Sequence, residues 1–217
     1  MKKHFKRILN KIDKQKIIRN AIILIFTLSV FIGIDQFTKI YAFAQSGQSW
    51  IGDGVSRPQI SEGKLFGIRL VINTGMFSSL GAGTVPYWGV QTITSLIAIA
   101  VIIAALFSSS KIVVFGLSLI ASGALGNIMD RYMLIEPNGG HYVRDWIYNP
   151  FYDKGTYNIA DIEVVFGSPI AAIGLIINTF KETKKEDVKD NKAKKKNFKS
   201  FKKTQVASKE TDLKEEK

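Results

Sequence analysis

The sequence predicts a mainly α, polytopic membrane protein: four transmembrane helices with a small extracytoplasmic β-sheet. Three observations predict it. Four apolar stretches each approach the roughly 20 helical residues that a hydrocarbon core of about 30 Å requires. Lys and Arg gather in segments that the spans would leave on one side. One connecting loop carries an alternating, strand-like run. The mean hydropathy of +0.09 conceals the spans, because the lysine-rich C-terminal stretch averages against them.

The chain opens with a basic segment, residues 1–19, expected in the cytoplasm. The first span covers about 17–43; no small-residue cleavage site follows, and it runs on through Asp35 and Lys39, so it reads as a retained helix rather than a signal peptide. Loop 44–86 contains glycine-rich turns and the run from Leu65 to Ile72, which predicts a short strand. The second span is 87–107, and Lys111 sits in the turn before the third, 112–131. Loop 132–157 holds Pro137, Gly139, Gly140, Asn149, Pro150 and Gly155, so it can turn repeatedly and let the third span meet the fourth, 158–180. The spans form one membrane domain, 20–180. Residues 181–217 have too little apolar surface to offset ordering entropy and read as a disordered cytoplasmic tail.

Charge sets the expected topology. Residues 1–19 hold eight Lys or Arg against one acid, and residues 181–217 hold fourteen lysines against eight acids. With Lys111 these place both termini inside, and therefore loops 44–86 and 132–157 outside. The tail could also be attracted to anionic membrane lipids, but its acids oppose that. No folded basic domain supports nucleic-acid binding.

The chemistry concentrates in two matching stretches, Asn127-Ile-Met-Asp130 and Asn158-Ile-Ala-Asp161. Each puts Asn and Asp on one helix face, and topology brings both to the outer membrane boundary. An ionisable group in a span is by default a functional hypothesis. The bland reading makes Asn158 and Asp161 a helix cap and pairs Asp130 with Arg131 at the interface. Asp35 with Lys39 four residues on has the spacing of a helical ion pair. Two carboxylates in reach of each other tend to share one proton and can activate water for attack on a peptide carbonyl. Asn127 and Asn158 would orient them, and Arg131 could anchor a backbone carbonyl or a headgroup.

Other chemistries have little material. There is no cysteine, so thiolate and Cys-based metal sites are excluded. His4 and His141 are the two histidines, His141 in a Gly-Gly loop, and no metal or cofactor is expected. Ser61 and Lys64 have a serine–lysine spacing but fall in a glycine-containing loop.

Five blocks in order resemble the lipoprotein signal peptidases, the bacterial signal peptidase II family, over most of residues 20–180. Asp35-Gln-Phe-Thr-Lys39 resembles the D-Q-x-x-K block, and Asn73-Thr-Gly75 the start of N-x-G-A-x-F. Gly126-Asn127-Ile-Met-Asp130-Arg131 resembles G-N-x-x-D-R, and Val143-Arg144-Asp145-Trp146 resembles V-x-D-F. Tyr157-Asn158-Ile-Ala-Asp161, with Gly167, resembles F-N-x-A-D-x-x-x-x-x-G. The resemblance implies an aspartic endopeptidase that cleaves diacylglyceryl-modified prolipoproteins before the lipidated cysteine, entered laterally from the bilayer of a bacterial cell membrane, with no cofactor. It implies Asp130 and Asp161 as the catalytic pair, and Asp35, Lys39, Asn73, Gly75, Asn127, Arg131 and Asn158 as site-lining and substrate-holding residues, in a monomer. Phe77 departs from the second block, and the first outer loop and 146–156 look long. The rivals are a proton-coupled transporter, which should carry ionisable groups at mid-depth in spans two to four, and a scaffold in which the twin motifs only cap helices.

Overall fold

A computed structural model describes residues 13–44, 59–61, 66–75, 87–135, 139–151 and 155–215, with side chains described up to Val188 and not for 59–61. The expectations attached to residues 1–12, Ser61 and Lys64 as a side-chain pair, Phe77, and Pro137 lie outside the described residues.

Four helices are long and apolar enough to cross a membrane. They are α1 (Lys14–Ala44), α2 (Tyr87–Phe107), α3 (Lys111–Met133) and the first part, Ile159–Val188, of α4 (Ile159–Glu215). The expected second span matches α2 residue for residue; α1 and α3 extend a few residues further. Ser110 caps α3 by accepting from the Val113 N–H.

Polarity runs the opposite way to that of a water-soluble core. Phe26, Trp88 and Phe166 are exposed, whereas Asn20, Asp35, Lys39, Ser118, Ser122 and Asp130 are buried. Large apolar side chains therefore face the lipid, and the polar groups turn inward to satisfy one another. Small residues let α3 and α4 approach closely. A Cβ on Gly123 would stand 2.3 Å from the carbonyl oxygen of Ala160, and one on Gly116 2.5 Å from the Ala171 nitrogen. Asn20 ties α1 to the C-terminal end of α2, donating to the carbonyls of Ala105, Leu106 and Ser108.

The strand-like run is a strand, and it belongs to a four-stranded antiparallel sheet in the order β1 (Gln59–Ser61), β2 (Gly67–Asn73), β3 (Val143–Tyr148), β4 (Thr156–Tyr157). The register sets Val71 opposite Asp145 and Asn73 opposite Val143. Leu70 packs with Ala42 and Phe43 at the end of α1, with Ile68 and Trp146 alongside, so the sheet is anchored on the helices.

The chain divides into two units, Met1–Gly174 and Leu175–Lys217. The second was expected to be disordered beyond residue 180; instead its backbone is helical to Glu215. Its composition accounts for this difference. Lys, Glu and Ala are good helix formers, and Glu182/Lys185, Glu186/Lys189 and Asp190/Lys194 stand at spacings that favour opposite charges on one face.

Candidate active site

The C-terminal ends of α1 and α3 and the start of α4 converge on β3. Asp35 and Lys39, four residues apart on α1, form an ion pair of 2.8 Å with neither side chain exposed. The second oxygen of Asp35 accepts the backbone N–H of Ala160 at 3.0 Å, which fixes the start of α4 against α1. Lys39 also reaches Asn127 Oδ1 at 2.9 Å and Asp130 Oδ2 at 3.5 Å. One buried ammonium thus links three of the expected residues.

Asp130 is fully engaged. Arg144 donates from its backbone N–H and Nε to Oδ2, at 2.9 and 3.2 Å, and from Nη2 to Oδ1 at 2.8 Å. The same Nη2 lies 2.9 Å from Gln36 Oε1, while Gln36 Nε2 donates to Asp35 Oδ2 and to the Gly126 carbonyl. This bidentate grip holds the Asp130 carboxyl against β3.

The neighbouring motif is built differently. Asn158 Oδ1 accepts the Asp161 N–H at 2.9 Å, and Asp161 Oδ2 accepts the Asn158 N–H at 3.2 Å. That is a reciprocal capping box at the start of α4. The capping reading of Asn158 and Asp161 is therefore present in the structure, but it leaves the Asn158 amide free to do more. Asn158 Nδ2 donates to Asp145 Oδ1 at 2.7 Å and to Asn127 Oδ1 at 3.0 Å, and Asn127 Nδ2 donates to Asp161 Oδ1 at 3.1 Å. The twin N-x-x-D stretches are thus not structural equals: one closes α3, the other opens α4, and their two amides bond to each other.

Asp145, on β3, completes the cluster. Asn73 Nδ2 donates to its Oδ2 at 2.9 Å, opposite the bond from Asn158. It is 2% exposed, and burial, reinforced by the charge of Asp161, holds its carboxyl well above the usual carboxylate range. Asp145 and Asp161 both bond Asn158. The expected pair, Asp130 and Asp161, is linked through Lys39 and Asn127: Lys39 reaches both Asp130 and Asn127, and Asn127 donates to Asp161.

The remaining expected residues hold the loops. Gly75 N–H donates to Asn73 Oδ1 at 2.9 Å, and Arg131 donates to the Gly75 carbonyl. Arg131 therefore fastens the segment after β2 to the end of α3, and its buried Nε has no partner among the described residues. His141 donates from Nδ1 to the Arg131 carbonyl, 2.6 Å away, and stacks on Tyr87 with ring centroids 3.7 Å apart. Among the described residues no three His, Asp or Glu side chains converge as metal ligands would.

Sequence reasoning had quoted Arg144 and Asp145 only as part of a block and had not placed either in the site. The signal was present: an adjacent Arg and Asp on a strand otherwise made of apolar and aromatic residues. Asp161 borders an apolar cavity of about 350 Å³, lined by Phe66, Ile147, Tyr157, Ile162, Val165 and Phe166. Oily walls around a few convergent polar groups are the usual composition of a ligand site.

Residues 27–178 match the family described as Signal peptidase (SPase) II. The chain is 30% identical over 171 residues to a lipoprotein signal peptidase of Clostridium acetobutylicum, covering 77% of this chain and 98% of that protein. It is 42% identical over 71 residues to a lipoprotein signal peptidase of Clostridium novyi, covering 31% of this chain and 44% of that one. Two solved structures titled as a bacterial membrane enzyme are similar in fold. One has a TM-score of 0.53 at 26% identity, over 74% of this chain and 89% of that chain; the other has 0.50 at 25%, over 72% and 92%.

Proposed function

The chain belongs to the signal peptidase II family, and from that premise we propose that it removes signal peptides from diacylglyceryl-modified prolipoproteins, with Asp130 and Asp161 as the water-activating pair. The observation that supports the pair is the bridge between the two acids: Lys39 lies against Asp130 and Asn127, and Asn127 donates to Asp161. Two buried carboxyls brought together favour holding one proton between them. Arg144 holds Asp130 from β3, and Asp145, bonded by Asn73 and Asn158, fixes Asn158 at the start of α4.

The ionised member of the pair takes a proton from water as its oxygen attacks the carbonyl carbon ahead of the lipidated cysteine. The protonated member donates to the carbonyl oxygen, giving a neutral tetrahedral intermediate. The proton taken from water then passes to the amine nitrogen as the carbon–nitrogen bond breaks, while a hydroxyl of the intermediate returns its proton to the other carboxylate, leaving the new carboxylic acid and one proton on the pair. Asn127 and Asn158 orient Asp161 and Arg144 orients Asp130, while Asp35 and Lys39 fix the helix ends that carry them.

The cavity beside Asp161 faces outward between Ile162, Val165 and Phe166 of α4 and the sheet residues Phe66, Ile147 and Tyr157. Its lining suits an apolar signal sequence or acyl chain arriving from the bilayer. The lysine-rich termini support a topology with both ends in the cytoplasm and the pair at the extracytoplasmic face. The test is purified protein incubated with a diacylglyceryl-modified prolipoprotein, with product separated by mass. Cleavage before the modified cysteine, absent with unlipidated precursor, is expected; intact precursor with folded enzyme would refute the assignment.

A further inference from the structure

Glu163 stands two residues beyond Asp161, within the spanning part of α4, and is 3% exposed. None of the steps above uses it. Its Oε2 meets the Ser122 hydroxyl of α3, and its Oε1 has no hydrogen-bond partner among the described residues. The same hydroxyl lies 3.0 Å from the Leu119 carbonyl oxygen.

A hydroxyl has one proton to donate. Set between a carbonyl and a carboxylate, it could satisfy one and would face the other oxygen to oxygen. Both contacts are satisfied at once if the carboxyl supplies a proton of its own. An ionised Glu163 would also leave a charged oxygen unpartnered between helices in the bilayer, whereas the carbonyl oxygen of a neutral acid tolerates that position far better. We infer that Glu163 is held as a neutral carboxylic acid that donates to Ser122, which in turn donates to the Leu119 carbonyl, and that this chain positions Asp161 for the proposed reaction.

The placement supports such a role. Gly123, next to Ser122, lies against the Ala160 carbonyl and Val164, so the clamp closes beside the tightest contact between α3 and α4. On the other side of that contact Asp161 bonds Asn127 of α3. Asp35 and Lys39 from α1, and Asp161 on α4 itself, are the charged groups that act on Glu163. A negative charge at Glu163 would break the donated bond, compete for Lys39 and repel both aspartates. Turnover therefore falls as rising pH ionises Glu163.

The inference rests on the proposed reading of Asp161, and the experiment separates the two. Full-length wild type, Glu163→Gln and Glu163→Ala are compared in lipid nanodiscs. The infrared difference between wild type and Glu163→Gln at neutral pH should contain the carbonyl stretch of one un-ionised carboxyl, whether or not any peptide is cleaved. Its absence overturns the inference. In cleavage, the Gln amide donates to Ser122 as the neutral acid does, so Glu163→Gln keeps kcat within about twofold and loses the alkaline decline, while Glu163→Ala lowers kcat about ten- to a hundredfold at unchanged KM. A Gln variant as slow as the Ala variant, or an alkaline decline identical in wild type and Gln, would also overturn it. Glu163→Gln conserves shape, so the test survives if the Ala variant does not fold.

Discussion

Arg144 grips both carboxylate oxygens of Asp130, Nη2 to Oδ1 at 2.8 Å and Nε to Oδ2 at 3.2 Å. That grip orients one acid of the proposed pair from the neighbouring strand, while Asp145, one residue beyond the arginine, bonds Asn158 and Asn73. The roles separate experimentally. Asp130→Asn and Asp161→Asn should each reduce cleavage by about 10⁴-fold or more, as removal of a reacting group does. Asp130→Asn should also lower the melting temperature, because it strips a partner from buried Lys39 and from Arg144, a loss of about 3–5 kcal/mol. Asp145→Asn should leave measurable turnover. Thermal unfolding in detergent measured beside turnover decides; wild-type turnover in Asp130→Asn would sink the pairing.

Asp145 also makes a prediction about pH. Its native carboxyl lies well above the usual range through burial and the charge of Asp161. A raised native pKa favours the neutral form on folding, so the stability it contributes is complete below the unfolded value of about 3.9 and is lost as pH rises through the native value. Asp145→Asn, neutral at every pH, should flatten the dependence of melting temperature on pH across that window. Curves of equal slope for wild type and variant would contradict this.

Lys39 balances Asp35 and Asp130 with no exposure to solvent. Lys39→Met should cost about 3–5 kcal/mol, since it leaves Asp35 buried beside an apolar chain. Adding Asp35→Asn should recover part of that loss, which a double-mutant cycle by chemical denaturation in micelles would quantify. Strict additivity of the two single changes would remove the basis for a coupled pair.

Packing supplies the fourth prediction. A methyl at Gly123 would meet the Ala160 carbonyl at 2.3 Å and push α4 away from α3, so Gly123→Ala should destabilise by about 1–3 kcal/mol and slow cleavage. Gly33 has nothing within 4 Å of such a methyl. Gly33→Ala should therefore be neutral or stabilising by up to about 1 kcal/mol, and comparing the two separates crowding from helix propensity.

Four spans, their order and the sheet were legible because hydrophobic length and alternation are local signals. Asp35, Lys39, Asn127 and Asn158 could be nominated because a polar group inside an apolar run is conspicuous. The bonds around the aspartates were not legible, because they depend on which side chain each carboxylate meets after folding. Arg144 reaches back fourteen residues to Asp130, and nothing in the spacing of Asn127 and Asp130 announces it. The helical backbone beyond residue 180 was missed for another reason: sparse apolar surface argues against a core but says little against a lone helix of Lys, Glu and Ala.

Asp130 is carried by the last turn of the third spanning helix and Asp161 by the first turn of the fourth. A chain still being synthesised, with three spans threaded and the fourth in the ribosome, owns one acid of the proposed pair and no means of activating water. Proteolytic competence thus arrives with the final step of membrane insertion, which spares the nascent chain and its neighbours from a half-built protease.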